Sequence, residues 1–199
     1  MTLIAAGCTG SPAARPDAEV PQPFAACTPL TGTGAQTGAA RTQPTRTQPA
    51  GTLPTRTQPA GTLRVVALPD LALPCLAGGD DVRLKELRGP LVINLWGSWC
   101  APCREELPAF QRLADSGRVP VLGVVTKDDR AAAAWLADEL KAGMPAVYDR
   151  AGALQSALGE NVLPLTLLVG ADGRAAVYRG VALTDDTLSQ LVEQHLERA

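Results

Sequence analysis

The chain has 199 residues, 46% of them hydrophobic and 19% charged, which fits one compact domain with an appendage and excludes a wholly disordered protein. Its net charge of −2 divides unevenly: residues 1–64 set five Arg against Asp17 and Glu19, whereas residues 65–199 hold 13 basic and 18 acidic groups. An acidic folded part lacks the basic field that a phosphate backbone selects, which argues against nucleic acid as a partner, and no apolar run approaches the ~18 residues of a membrane-spanning helix.

The first 64 residues contain nine Pro, thirteen Thr and seven Gly, with Phe24 as their only aromatic residue. TRTQPAGTLP (45–54) is followed by TRTQPAGTLR (55–64), and a third RTQP stands at 41–44. Each copy offers a core only Leu53 or Leu63, too little apolar surface to offset the roughly 1–2 kcal/mol per residue lost on ordering a backbone. Residues 9–64 therefore read as a disordered tether, extended in part, with 28–64 its most biased stretch. Ahead of it, MTLIAAGC (1–8) resembles the lipobox of bacterial lipoproteins, in which the cysteine after Ala6-Gly7 is lipidated and becomes the mature N-terminus. The resemblance implies a lipid anchor on Cys8. Ala5 stands where that motif usually has Leu, and only seven residues precede Cys8; a start codon assigned too far downstream would account for the missing leader, and a chance cysteine in a disordered tail is the alternative reading.

From about residue 65 the pattern becomes that of a folded α/β domain of 65–199. LVINLW (91–96) is a nearly continuous apolar run, as expected of a strand covered on both faces. A helix follows over 101–115, with Leu107, Phe110, Leu113 and Ala114 on one side. VPVLGVV (119–125) reads as a second buried strand, and Asp128-Asp129 open a helix containing Ala132, Trp135, Leu136 and Leu140. A short strand near Ala146–Tyr148 and a brief helix over 151–158 lead to LTLLV (165–169), which the turn GADG joins to RAAVY (174–178) as a hairpin. A last helix starts after Thr184, with a stripe of Leu188, Leu191, Val192, His195 and Leu196. Two β-α-β passages, a hairpin and a helix make a mixed central sheet flanked by helices.

The chemistry concentrates in Trp99-Cys100-Ala101-Pro102-Cys103, where a buried strand gives way to a helix. A cysteine at a helix N-terminus meets unsatisfied N–H groups and the positive end of the macrodipole, which favour thiolate over thiol and make it the attacking sulfur. A second cysteine one turn later can resolve the mixed disulfide by closing a small ring. Pro102 suits the first helical turn, where its missing N–H costs little. The same spacing also occurs as half of a zinc site or as a structural disulfide. Zinc needs a second ligand pair, and Cys27, Cys75 and His195 supply none in paired spacing.

NLWGSWCAPCREELP (94–108), with VLPLTLLVGADGR (162–174) downstream, resembles the thioredoxin superfamily and, within it, the TlpA/ResA-like extracytoplasmic thiol–disulfide oxidoreductases. The resemblance spans about 70–197. It implies a thioredoxin fold with an N-terminal β extension, Cys100 as nucleophile, Cys103 as resolving thiol and Pro164 as a cis-proline that turns the Leu163 backbone toward a bound substrate chain. Asn94 stands where thioredoxin has a buried, proton-moving Asp; Asn cannot titrate. The family's Glu three residues after the second cysteine is here Glu106, on the same helix face as Cys103. Partly desolvated there, it would have a raised pKa and act as acid or base for the resolving thiol, while Glu105 is expected to be exposed. Pro108 matches the family's helix-kinking proline.

Trp96 continues the buried strand and is assigned to the core; Trp99 is expected to cover the disulfide and meet substrate. His195 reads as a core histidine near the negative helix end. Cys75 lies in LALPCL, a strand of the extension, and a Cys27–Cys75 disulfide would fasten the tether's start to the domain.

Together these readings describe a monomeric thioredoxin-fold domain held outside the cytoplasmic membrane by a lipid on Cys8, or else secreted or periplasmic. It needs no cofactor or metal beyond the redox-active Cys100–Cys103 disulfide. It exchanges disulfides with protein thiols and disulfides, reducing them with electrons from a membrane donor; cytochrome c maturation is one outlet. Two other classes compete. A peroxiredoxin-like peroxidase shares the fold but sets its cysteine in Pro-x-x-x-Thr-x-x-Cys, absent here. A copper metallochaperone uses Cys-x-x-x-Cys with a His, and the one His of this chain is remote in sequence.

Overall fold

The computed structural model describes residues 19–28 and 63–197. In chain order the elements are β1 (Arg64–Ala67), β2 (Ala72–Leu73), β3 (Val82–Arg83), a 3-10 turn (Leu84–Glu86), β4 (Leu91–Trp96), α1 (Ala101–Ser116), β5 (Val121–Thr126), α2 (Arg130–Leu140), β6 (Ala146–Asp149), α3 (Ala153–Leu158), β7 (Leu165–Val169), β8 (Arg174–Arg179) and α4 (Asp185–Val192), which runs into one wide turn over Glu193–Glu197. Six strands form a sheet in the order β1-β8-β7-β4-β5-β6, parallel from β4 to β6 and antiparallel from β4 to β1. This is the mixed sheet expected from two β-α-β passages and a hairpin, in a thioredoxin-like fold. β2 and β3 pair separately.

Alternation along β4 divides the core. Val92 and Trp96 pack with Leu107 and Phe110 of α1, Leu136 of α2 and Leu188 of α4. Leu91, Ile93 and Leu95 face the other side, with Val82, Leu84, Leu154 and Leu158. Both faces are covered, so every residue of β4, β5 and β7 is buried. α1 carries Pro108 inside it, a defect worth about 3 kcal/mol in a free helix. Burying Leu107, Phe110 and Leu113, at about 1.5–3 kcal/mol each, outweighs it, so packing and not propensity holds this helix.

Apart from shifts of one or two residues at element ends, three features differ from what the sequence suggests. β5 begins at Val121, because Pro120 has no N–H to offer the ladder. On α2 the buried face is Ala133, Ala134, Leu136 and Ala137, which leaves Ala132 and Trp135 exposed. Cys75 lies beyond β2 instead of within a strand: Pro74 interrupts the run, and Cys75 makes a lone bridge to Val147 at the free edge of β6. The Leu76 N–H reaches the Ala146 carbonyl and the Tyr148 N–H reaches that of Pro74, so this irregular segment still covers the edge.

Residues 19–28 fall in the stretch that composition assigns to a tether, yet they lie against the domain. Phe24 sits 6.5 Å from the Trp96 ring centroid, and the Ala25 N–H donates to the Gly143 carbonyl at 2.8 Å. A Cβ at Gly143 would stand 2.8 Å from the Pro23 carbonyl oxygen, so only glycine allows this approach. Cys27 is buried and bonded to Cys75 (S–S 2.08 Å, Cα–Cα 6.1 Å), the pairing expected above. Cys8 and the repeat up to Thr62 lie outside the described residues. Among the described residues no helix is long and apolar enough to cross a membrane.

Candidate active site

β4 ends at Trp96 and α1 begins at Ala101, so residues 97–100 form the junction. The turn closes with Cys100 N–H donating to the Gly97 carbonyl at 3.0 Å. Cys100 is the N-cap of α1: its backbone is extended, Pro102 occupies the first turn, and its Sγ accepts from the Cys103 N–H at 3.3 Å. The two cysteines are joined (S–S 2.07 Å, Cα–Cα 5.3 Å). Cys100 retains 5% exposure and Cys103 none. A sulfur that accepts a helix-end N–H is stabilised as thiolate, and the one with residual access is the one an external disulfide can meet.

The junction is fastened to the loop after β5. Asp128 accepts from both the backbone N–H and the hydroxyl of Ser98, the latter at 2.9 Å. Next to it, the Trp99 indole N–H donates to the Lys127 carbonyl at 3.0 Å, and the Tyr148 hydroxyl donates to the Asp128 carbonyl at 2.8 Å. The Trp99 ring lies across Gly97, where an added Cβ would meet the indole nitrogen at 2.8 Å, and stays 60% exposed. The neighbouring aspartates thus divide two tasks: Asp129 caps α2 through the Ala131 and Ala132 N–H groups, and Asp128 turns back to the cysteine turn. The sequence places both at a helix start and does not separate them; the only signal is one carboxylate more than a cap requires. Asp128→Ala should blue- or red-shift Trp99 emission and weaken substrate binding (a higher KM), with the cysteine alkylation rate retained. Unaltered emission and KM would remove Asp128 from the positioning of this turn.

Glu106 is fully buried, unlike exposed Glu105. Its Oε1 accepts from Asn94 Nδ2 at 2.7 Å and its Oε2 from the Leu183 N–H at 3.1 Å. Burial pushes its pKa up from 4.5 to about 7, against the opposing pull of the Leu183 and Asn94 donors. A carboxyl of that kind, one turn from Cys103, is poised to exchange a proton near neutrality. The shift is also a stability statement. The folded state holds its proton more tightly than the unfolded chain, so the stabilisation is complete below pH 4.5 and is lost as pH rises through about 7. The loss amounts to about 3 kcal/mol on the order of one pKa unit per 1.4 kcal/mol. Glu106→Gln should remove that component, so urea unfolding at pH 5 and pH 8 should differ less in the variant than in the parent; equal differences would deny the burial cost.

The Leu163–Pro164 bond is cis, as the resemblance implies, and Gly89–Pro90, at the far end of β4, is cis as well. Pro164 is buried and Leu163 half-buried. The loop that carries them is held by buried Gln155, whose amide donates to the Val162 carbonyl at 2.8 Å, and by Glu160, which pairs with Arg64 and Arg179. Neither residue has a distinguishing mark in the sequence. Trp96 is in the core, as expected. His195 lies half-buried on the final wide turn instead of fully in the core, because the helix has already left its regular path there. Among the described residues no group of three or more His, Cys, Asp or Glu is placed to hold a metal ion.

Residues 66–177, more than half of the chain, match the AhpC/TSA family model. The chain belongs to that family. Among curated family relatives, a thiol:disulfide interchange protein DsbE of Pseudomonas fluorescens biotype C is 36% identical over 107 residues, covering 53% of this chain and 60% of that protein. A thiol-disulfide oxidoreductase ResA of Geobacillus thermodenitrificans is 31% identical over 134 residues, 65% of this chain and 74% of that one. The fold matches a crystal structure of a secreted Mycobacterium tuberculosis disulfide oxidoreductase homologous to E. coli DsbE, with a TM-score of 0.56 and 21% identity, over 63% of this chain and 96% of that chain.

Proposed function

We propose that the protein is an extracytoplasmic thiol–disulfide oxidoreductase that reduces disulfides in protein substrates. The observation that carries this reading is the asymmetric pair: Cys100 at the helix cap with residual access, Cys103 sealed behind it. The names of the DsbE and ResA relatives and the match to a secreted oxidoreductase support both the activity and the location.

In the reduced protein the Cys100 thiolate attacks one sulfur of a substrate disulfide, breaking that bond and releasing the first substrate thiolate. Cys103 gives its proton to the Glu106 carboxylate, and its own thiolate attacks Cys100 Sγ. The mixed disulfide breaks, the second substrate thiolate departs with a proton from Glu106 or solvent, and the Cys100–Cys103 disulfide remains. Two electrons from a donor dithiol, supplied across or at the membrane, restore the pair. Trp99 offers an exposed ring beside the turn, and the Leu163 backbone ahead of Pro164 offers strand-like pairing to an extended substrate segment. A lipid on Cys8 would hold the monomer at the membrane through residues 9–18, the part of the 9–64 tether that precedes the Cys27–Cys75 bond; cytochrome c maturation is one outlet for such reduction.

A peroxidase reading also fits the family, but Ile93 and Gly97 stand where the Pro-x-x-x-Thr-x-x-Cys context around Cys100 requires Pro and Thr. Three parallel assays test the proposal: insulin disulfide reduction with a thiol donor, peroxide consumption and copper titration. Insulin reduction alone is the expected result. Peroxide consumption or copper binding without insulin reduction would overturn it. A Cys100–Cys103 potential near about −270 mV fits a reductant, and one near about −120 mV an oxidant.

A further inference from the structure

Two buried side-chain atoms among the described residues have no hydrogen-bond partner, Asn94 Oδ1 and Trp96 Nε1. An amide oxygen in a residue with no solvent exposure is costly to leave unpaired. Its neighbour explains it. Asn94 presents Nδ2 to Glu106 Oε1 at 2.7 Å. A carboxylate can only accept, so an amide that faces it must turn its NH2 inward and its oxygen away. A carboxylic acid instead has a hydrogen to donate, and a facing amide satisfies it only with Oδ1. Half a turn about the Cβ–Cγ bond of Asn94 exchanges the two ends. Leu183 N–H, 3.1 Å from Oε2, serves both states, since the acid keeps an acceptor oxygen there.

We propose that Asn94 is a positioning residue for the Glu106 proton: its side-chain amide turns over as Glu106 gains or loses a proton, so that the buried carboxyl is hydrogen-bonded both as acid and as anion. The inference deepens the oxidoreductase reading and rests on it for the use of that proton, though not for the amide rotation itself. No atom leaves the pair in the rotation. The proton arrives from, and departs to, the Cys103 thiol or solvent.

The groups around Glu106 are few. α1 contributes Cys103 one turn earlier, while its Arg104 and Glu105 are exposed. Across the sheet, the register Asn94–Thr166–Tyr178 places a neutral hydroxyl and a phenol in line with the amide. The Tyr178 phenol is itself held above its ordinary value, first by burial and then by the Glu106 charge, so it stays neutral wherever Glu106 titrates. Asp185 and Asp186 at the start of α4 are exposed, and Arg179 is engaged with Glu160. Among the described residues, the Asn94 amide is the side chain hydrogen-bonded to Glu106, and so is placed to adjust when Glu106 changes charge.

The test uses NMR of the full chain in its oxidised form, without substrate, with labelled Glu side-chain carboxyls and Asn side-chain amides. The Asn94 NH2 resonances should move with the same midpoint as Glu106, near pH 7, and should be pH-silent in Glu106→Gln. Asn94→Asp, close in shape, should raise the Glu106 midpoint by about one pH unit or more, because two adjacent buried carboxylates cannot both ionise. Asn94→Leu should raise it less, through loss of a charge-assisted bond to the anion. Asn94 resonances that ignore the Glu106 titration, or a Glu106 midpoint unmoved in both variants, would overturn the proposal. Because these readouts need no turnover, an inactive protein with a responsive Asn94 would overturn only the oxidoreductase reading.

Discussion

Cys103→Ser should convert the protein into a trap: incubated with an oxidised protein substrate after reduction, it should accumulate a covalent adduct, while Cys100→Ser should form none and show no insulin reduction above the thiol-donor background. The expectation follows from the unequal access of the two sulfurs, 5% against none. A substrate disulfide reaches only Cys100, and the adduct then waits for a thiolate that Ser cannot supply. The cap geometry adds the electronic half. Cys100 Sγ already accepts the Cys103 N–H in the disulfide, and the same donor together with the helix end favours the thiolate once the bond is reduced. Iodoacetamide labelling of the prereduced protein should accordingly show one fast thiol titrating well below the ~8.5 of free cysteine. Non-reducing gels and mass mapping would decide: adducts on Cys100→Ser and not on Cys103→Ser would reverse the roles and sink the mechanism.

What was legible in the sequence was what depends on neighbours along the chain. β4 and β7 appear with the bounds that their apolar runs give, and the cap-and-turn chemistry of Cys100 needs only the strand before it and Pro102 after it. Glu106 could be placed on the Cys103 face by helix geometry alone. Its partners could not, because Asn94 lies 12 residues away on a strand and Leu183 lies 77 away on the loop before α4. The same limit hides Asp128, whose bond to Ser98 spans 30 residues, behind the helix cap that Asp129 provides. For residues 19–28 the cause is averaging. Phe24 and Cys27 help anchor this segment, and a window full of Pro, Thr and Gly dilutes them. A cis Gly89–Pro90 bond carries no local mark either, since tertiary contacts select the isomer.

The anchored segment leads to a stability difference that should be large. Cys27 and Cys75 close a loop of sequence separation 48, and in the chain-entropy account a cross-link of that length restricts the unfolded chain by about 4 kcal/mol. The native contacts act in the same direction. Without the bond, contacts such as Phe24–Trp96 and the Ala25–Gly143 hydrogen bond must alone offset the ordering of ten residues, at roughly 1–2 kcal/mol each. The double variant Cys27→Ala/Cys75→Ala, which buries no new hydroxyl, should therefore lose about 4 kcal/mol in denaturant unfolding, a large share of the roughly 5–15 kcal/mol typical of a domain. Insulin reduction under folding conditions should persist, since neither sulfur is bonded to the Cys100–Cys103 turn. A loss below about 1 kcal/mol would mean that the segment is held by its side chains and that the cross-link is incidental. A loss of turnover in a folded variant would place the Phe24–Trp96 contact, and with it the end of β4, under the control of the second disulfide.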